Sequence, residues 1–140
     1  MTCDFFLYAR STDLAAARHF YTDLLALEQI WDEADSIAYT IGSTVQFSIG
    51  LELGAPAPSE WSFQPGWVYG LDVDPAPRHA PASWSIRLDA EHFAAAVARL
   101  QTAGVEALQP EPFWVGYWSF VVRDPMGYTV ELADPASPQS

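Results

Sequence analysis

One order of secondary-structure signals occurs twice along this chain, and that repetition limits the folds it can adopt. In the first half, a strand signal over Asp4 to Arg10 precedes an amphipathic helix whose apolar stripe runs from Leu14 to Leu25, and three strand signals follow. In the second half, an alternating strand from Ser83 to Leu88 precedes a helix capped by Asp89, again followed by three strand signals. The sequence therefore predicts an α+β fold of two tandem βαβββ modules, whose curved mixed sheets are related by a pseudo-twofold and enclose a cleft.

The predicted elements have definite bounds. After the first helix, strands are expected at Leu27–Trp31, Ser36–Ile41 and Thr44–Leu51. After the second helix, strands are expected near Val105–Leu108, Trp118–Arg123 and Tyr128–Ala133. The apolar stripes that should face the sheets are Leu14, Ala17, Phe20, Tyr21, Leu24 and Leu25 on the first helix, and Phe93, Ala96, Val97 and Leu100 on the second.

The two modules are expected to form one domain over residues 1–135, with module one at 1–53 and module two at 82–135. The linker between them, 54–81, is rich in Pro, Ala and aromatic residues and is too long for an ordinary connection. Its Trp and Phe content argues against disorder, so we expect a functional segment, extended from Trp67 to Val73. Residues 136–140 are expected to be a flexible tail.

Charge and composition exclude several classes of function. A formal net charge of −12, with six Arg and no Lys, argues against nucleic acid, because phosphate binding needs clustered basic residues. The acidity favours a cationic or neutral ligand, or serves only solubility. Neither a membrane-spanning apolar run nor a secretory signal is evident, so we expect a soluble cytoplasmic protein without membrane contact.

Residues that commonly bind metals are few. Cys3 is the only cysteine, so the chain has no internal disulfide and no thiolate-rich zinc site. The three histidines, at positions 19, 79 and 92, show no metal-binding spacing.

Two motifs within this repeated pattern resemble those of one known family. The first is the helix segment from Asp13 to Tyr21, and the second is Gly116 followed by Asp124-Pro125-Met126-Gly127 and Glu131-Leu132. Asp-Pro-x-Gly is a tight-turn sequence, because Pro presets φ and Gly accepts a positive φ. Together the motifs resemble the vicinal oxygen chelate superfamily, also called the glyoxalase, bleomycin-resistance and extradiol dioxygenase group. Its metal-free, antibiotic-binding branch is the most similar.

The resemblance implies where a metal would bind in the enzymes of that family. Their ligands come from the first strand of each module and from a Glu on the last strand, which correspond here to Phe6, Ser83 and Glu131. The last strand of module one would supply Gln46 or Ser48. A catalytic metal needs about three protein ligands, and one carboxylate does not provide them. We therefore expect no metal and no cofactor.

The aromatic content favours a binding function. Phe, Trp and Tyr make up 14% of the chain, and an aromatic side chain at the Phe6 position suits stacking on a flat ligand. By resemblance, we expect a cytoplasmic homodimer that sequesters a bulky aromatic, possibly cationic, small molecule such as an antibiotic, for self-resistance. The candidate ligand-binding residues are Phe6, Tyr8, Trp31, Tyr39, Ser48, Trp61, Trp67, Ser83, Trp114, Tyr117, Trp118 and Glu131. Trp84 alternates with Ile86 and Leu88 and is assigned to the core.

Three alternatives stay open. The first is a metal-free lyase, isomerase or cyclase that acts on an aromatic metabolite, with Glu131 as general base. The second is a metal-dependent enzyme of the glyoxalase or dioxygenase type. The third is a scaffold whose aromatic residues bind another protein. With no catalytic residue established, a binding protein is preferred to an enzyme.

Overall fold

The chain divides into two structural units, Met1–Ala57 and Pro58–Ser140. A computed structural model describes residues 5–58, 61–62, 64, 66–67, 70–71 and 83–139. Within these ranges, no helix has both the length and the apolar character needed to cross a membrane.

The first unit is a four-stranded mixed sheet with one helical segment. Its strands are β1 (Phe5–Ser11), β2 (Glu28–Asp32), β3 (Ser36–Ile41) and β4 (Val45–Leu51), in the spatial order β1-β4-β3-β2. Strand β1 runs parallel to β4, and the remaining pairs are antiparallel. The helix α1 (Leu14–Arg18) continues as a π-helical segment over His19–Leu24.

One face of this sheet forms the core of the first unit. All six residues of the predicted first-helix stripe are buried, which confirms that prediction. Tyr21 reaches the sheet, with its ring centroid 5.1 Å from that of Phe47 and 5.8 Å from that of Tyr39. Because side chains alternate along a strand, the opposite face carries Phe6 and Tyr8, which are 51% and 65% exposed.

The second unit has the same topology. Its strands are β5 (Ser83–Arg87), β6 (Phe113–Trp114), β7 (Trp118–Arg123) and β8 (Thr129–Asp134), in the order β5-β8-β7-β6. The helix α2 (Ala90–Thr102) begins at Asp89, whose side chain accepts a hydrogen bond from the His92 amide. The predicted stripe Phe93, Ala96, Val97 and Leu100 is buried. Two tandem modules with unclosed mixed sheets confirm the predicted α+β fold.

One predicted strand is wrong. Between Val105 and Leu108 the structure has a single bridge, Ala107 to Val122, and the edge strand of the sheet is β6 instead. Pro110 and Pro112 lie between the two. Since proline has no amide hydrogen to donate to a ladder, continuous pairing along β7 is interrupted there.

The linker and the tail both contact the second unit. The Ser62 amide donates to Thr129 Oγ1, and Trp67 and Leu71 pack in a cluster with Phe113 and Val121. Residues 66 and 67 form a short helical turn, and most of the segment expected to be extended, Trp67–Val73, lies outside the described residues. In the tail, the amides of residues 136 and 137 donate to Asp134 Oδ1, and Trp118 Nε1 donates to the carbonyl of residue 138. The described part of the expected flexible tail is therefore hydrogen-bonded to the sheet.

Candidate functional site

Glu131 lies in the middle of β8 and is 3% exposed. The register places it between Ser85 of β5 and Val121 of β7. The alternate residues of β8, Val130 and Leu132, are buried apolar side chains on the opposite face. Strand alternation thus directs one carboxylate to the face opposite Val130 and Leu132, beside the cluster that contains Trp67 and Val121.

Three donors from different segments converge on one oxygen of this carboxylate. Glu131 Oε2 accepts hydrogen bonds from Trp67 Nε1 at 2.8 Å, Tyr117 Oη at 2.9 Å and Ser119 Oγ at 2.6 Å. Hydrogen bonds to an ionised acceptor are about twice as strong as neutral ones, so the three donors fix the carboxylate in place. Oε1 accepts none from the described residues and is not fully buried. It is therefore the acceptor left for a bound molecule.

The Tyr117 hydroxyl is held in its protonated form. Burial raises the pKa of Tyr117 above its ordinary value of 10.0, and the negative charge of Glu131 and the hydrogen bond to it act in the same direction. Near neutral pH the phenol therefore keeps its proton and donates it to the carboxylate in a hydrogen bond.

A pocket of about 450 Å³ opens beside Glu131. This volume lies within the range of roughly 300–1,000 Å³ usual for small-molecule sites. Its walls combine aromatic rings with polar side chains. The lining residues are Gln64, Gly66, Trp67, Ser83, Trp84, Ser85, Arg87, Tyr117, Glu131, Ala133 and Pro135.

The donor set of this pocket does not fit a divalent metal. Glu131 is its one carboxylate, and the described residues contain no group of three His, Cys, Asp or Glu side chains that could hold an ion. Oε2 already accepts three hydrogen bonds, and Ser83 Oγ accepts one from Gln64. The residue directly opposite Glu131 is Ser85, a neutral hydroxyl. No step of any reaction is therefore assigned to a metal here.

The structure brings four of the predicted site residues together. Trp67, Ser83, Tyr117 and Glu131 all line the pocket. Three other candidates from the second unit do not line it. Trp61 lies 5.2 Å from the guanidinium carbon of Arg123, and Trp114 and Trp118 pack against each other with ring centroids 5.5 Å apart.

Five predicted site residues belong to the first unit, and one of them requires correction. Tyr39 is 0% exposed, and its hydroxyl is hydrogen-bonded to Thr22, so it is a core residue that no ligand reaches. Ser48 is also buried and bonded to Gln46, and Trp31 Nε1 donates to Ser36. Phe6 and Tyr8 stay accessible on the open face of the sheet.

Sequence reasoning missed several residues of the pocket: Gln64, Trp84, Ser85 and Arg87. Trp84 is opposite Val130, so its side chain leaves β5 on the core face, as the alternation predicted; it is half-buried, with its ring centroid 4.8 Å from that of Tyr128, and it also borders the pocket. The alternation of positions 83, 85 and 87 was a usable signal, because all three lie on the face that carries Glu131.

Known structures share this fold. One is a glyoxalase/dioxygenase from Nostoc punctiforme, with 16% identity, coverage of 96% of this chain and 90% of that one, and a TM-score of 0.70. Another is fosfomycin resistance protein FosX from Mesorhizobium loti, with 12% identity, coverage of 92% and 88%, and a TM-score of 0.62. A third is a bleomycin resistance determinant encoded on transposon Tn5, with 16% identity, coverage of 94% and 97%, and a TM-score of 0.57. At these identities the likeness concerns the fold alone.

The sequence itself indicates the family. No curated protein matches it significantly. A family model described as the glyoxalase/bleomycin resistance protein/dioxygenase superfamily, however, matches residues 6–132, nearly the whole chain. The chain belongs to the glyoxalase/bleomycin resistance protein/dioxygenase superfamily.

Proposed function

We propose that this protein binds an aromatic small molecule in the pocket beside Glu131, without a metal, and sequesters it. The observation that carries the proposal is a carboxylate fixed by three hydrogen bonds at the wall of an aromatic-lined pocket. An antibiotic or another natural product is the proposed ligand, and self-resistance is the proposed role. Two solved structures with this fold are named as resistance proteins, which supports that role.

Ring stacking and one directed polar contact supply the affinity. Tyr117 is a half-buried ring at the pocket, and Trp67, which is 1% exposed, forms part of the wall behind Glu131. An aromatic pair contributes on the order of 1 kcal/mol beyond the buried area, so burial of the ligand's apolar surface must supply most of the roughly 8 kcal/mol of micromolar binding. Oε1 of Glu131 accepts an N–H or O–H group of the ligand. Because the protein donors already fix the carboxylate, the ligand loses little binding energy to ordering it.

A second candidate is metal-free catalysis, and Tyr117 is the observation that favours it. Proton transfer in an isomerisation uses a base and an acid side by side, and the Tyr117 hydroxyl lies 2.9 Å from Glu131. Glu131 Oε1 would remove a proton from a bound metabolite, and Tyr117 would donate one. This arrangement suits an isomerase, lyase or cyclase.

The homodimer is part of the proposal. Phe6 and Tyr8 expose large rings on one sheet face of the first unit. Exposed aromatic patches commonly contact a ligand or a partner, and a second copy of the chain is the partner proposed.

Titration with a panel of aromatic antibiotics, including intercalator-like and glycopeptide compounds, tests the proposal. We expect saturable quenching of Trp fluorescence by at least one compound. Tyr117→Leu should weaken that binding, because the Tyr117 ring lies in the pocket beside Glu131, whereas Trp118→Phe should not, because Trp118 packs on Trp114 outside it. The absence of saturable binding across the panel would refute the binding function. Turnover of a bound compound, lost in both Glu131→Gln and Tyr117→Phe, would establish catalysis instead.

A further inference from the structure

The pocket of the second unit contains one positive and one negative side chain that are not paired with each other. We propose that its ligand is amphoteric, with a carboxylate that binds Arg87 and an N–H group or cation that binds Glu131 Oε1. This inference rests on the proposed binding function and specifies the ligand class.

The Arg87 side chain, which has no acidic partner among the described residues, indicates that the ligand carries an anionic group. It lies at the end of β5, opposite Ala133, and its side chain lines the pocket. Among the arginines that the structure describes, it alone makes neither a hydrogen bond nor a contact with an acidic group. The other described arginines, at positions 10, 18, 99 and 123, all have protein partners.

The separation of the two charges is the second observation. Arg87 and Glu131 are diagonal neighbours on one face, because Glu131 is opposite Ser85. Two residues along a strand and one strand across correspond to about 8 Å, within reach of two long side chains. The carboxylate is held instead by the neutral donors of Trp67, Tyr117 and Ser119, and no ion pair forms between the two described side chains. Both charges therefore remain available to a ligand.

The surroundings of Arg87 favour a carboxylate over a phosphate. A guanidinium binds a carboxylate through two parallel N–H···O bonds. Arg87 is the one cation among the described residues that line the pocket, so it balances a monoanion and not a dianion. The neutral groups near it, Ser85 and Gln64, add hydrogen-bonding capacity without further charge. The half-buried ring of Tyr117 completes a site for an aromatic molecule with opposite charges at its two ends.

Three naphthalene probes that share one ring system test this assignment. They are an aminomethyl-naphthoate with both charges, (aminomethyl)naphthalene with the cation alone, and naphthoate with the anion alone. Isothermal titration calorimetry measures each dissociation constant on the intact protein. We expect the probe with both charges to bind at least about tenfold more tightly than either singly charged probe.

Variants of Arg87 locate the anionic contact. We expect Arg87→Gln to weaken both naphthoates by about tenfold and to leave (aminomethyl)naphthalene unchanged, and Arg87→Lys to lose less. Arg99→Gln, the same substitution on the helix of this unit, should change none of the three constants. Equal affinities for all three probes, or binding that is indifferent to Arg87→Gln, would overturn the amphoteric assignment and leave the binding function intact. If none of the three probes binds, the amphoteric assignment fails, whereas the binding function is refuted only when the antibiotic panel also shows no saturable binding.

Discussion

At the scale of single residues, the hydrogen bonds to Glu131 distinguish this chain from the metal-binding pattern that its last-strand Glu suggested. The carboxylate accepts an indole N–H, a phenol and a hydroxyl on one oxygen. The three donors stabilise the negative charge of Glu131, as a bound cation would. Unlike a cation, all three groups are neutral. The last-strand Glu is thus a hydrogen-bond acceptor at the position where the resemblance implied a metal ligand.

The bond from Trp67 should contribute measurably to stability. Trp67 is 1% exposed and donates to a charged acceptor, so Trp67→Phe removes a strong hydrogen bond and leaves a small cavity. We expect a loss of about 2–4 kcal/mol in the free energy of unfolding, measured by urea denaturation. Trp118→Phe is the control, because its indole donates to a neutral carbonyl at an exposed site and should cost less. Equal costs would show that the charge of Glu131 adds nothing.

Tyr117 should make stability depend on alkaline pH. The pKa of Tyr117 is raised in the folded state, first by burial and then by Glu131. Below pH 10.0, the ordinary tyrosine value, its contribution to stability is fully present, and it is lost as pH rises through the higher folded pKa. Burial also raises the pKa of Tyr39, so spectrophotometric titration of the folded protein should show a late-ionising component whose amplitude falls in Tyr117→Phe without vanishing. A late component of unchanged amplitude in that variant would contradict this.

At the scale of elements, the turn between β7 and β8 is determined by local chemistry. Asp124 Oδ1 accepts hydrogen bonds from the amides of Met126 and Tyr128 at 3.0 and 2.9 Å, and Gly127 has φ +92°. The Asp-Pro-x-Gly sequence predicted this turn because each of its residues favours the turn on its own. The helix stripes were predictable for the same reason, since their period appears in the sequence.

Gly127 should tolerate no side chain. A Cβ there would meet the carbonyl of Pro58 and would also adopt an unfavourable positive φ. Gly116 is a matched control, because its φ is +99° and no atom lies within 4 Å of the position that a Cβ would take. We expect Gly116→Ala to cost about 1–3 kcal/mol from backbone strain alone, and Gly127→Ala to cost at least about 1 kcal/mol more. Similar urea midpoints for the two variants would mean that Pro58 moves away from the new Cβ with no loss in the free energy of unfolding.

The elements that were mispredicted depend on tertiary contacts. Strand β6 has two residues, too few for any periodic signal. Trp84 lies on the core face that its alternation predicted, but its place near the strand start leaves it half-buried and bordering the pocket, which the alternation did not indicate. Trp67, the linker residue that donates to Glu131, lies in no sequence pattern that indicates this partner. Most of the fold and four of the pocket residues were therefore predictable from sequence, but the convergence of three donors on Glu131 was not.

At the scale of the whole molecule, the proposal of metal-independent binding predicts indifference to chelators. Dialysis against EDTA should leave both the melting temperature and the affinity for a quenching antibiotic unchanged. Native mass spectrometry of the purified protein reports subunit number, metal and any retained ligand together. A chelator-induced fall in the melting temperature, or stoichiometric bound metal, would contradict metal-independent binding.

The contact between Trp67 and Glu131 joins positions 64 residues apart in the chain. Closing a loop of that length costs entropy that only a formed sheet can offset, so we expect the pocket to assemble late in folding. It should likewise open early in unfolding, before β8 leaves the sheet. A bound molecule would then slow unfolding in addition to stabilising the folded state at equilibrium. The folded chain would live longer and resist proteases better.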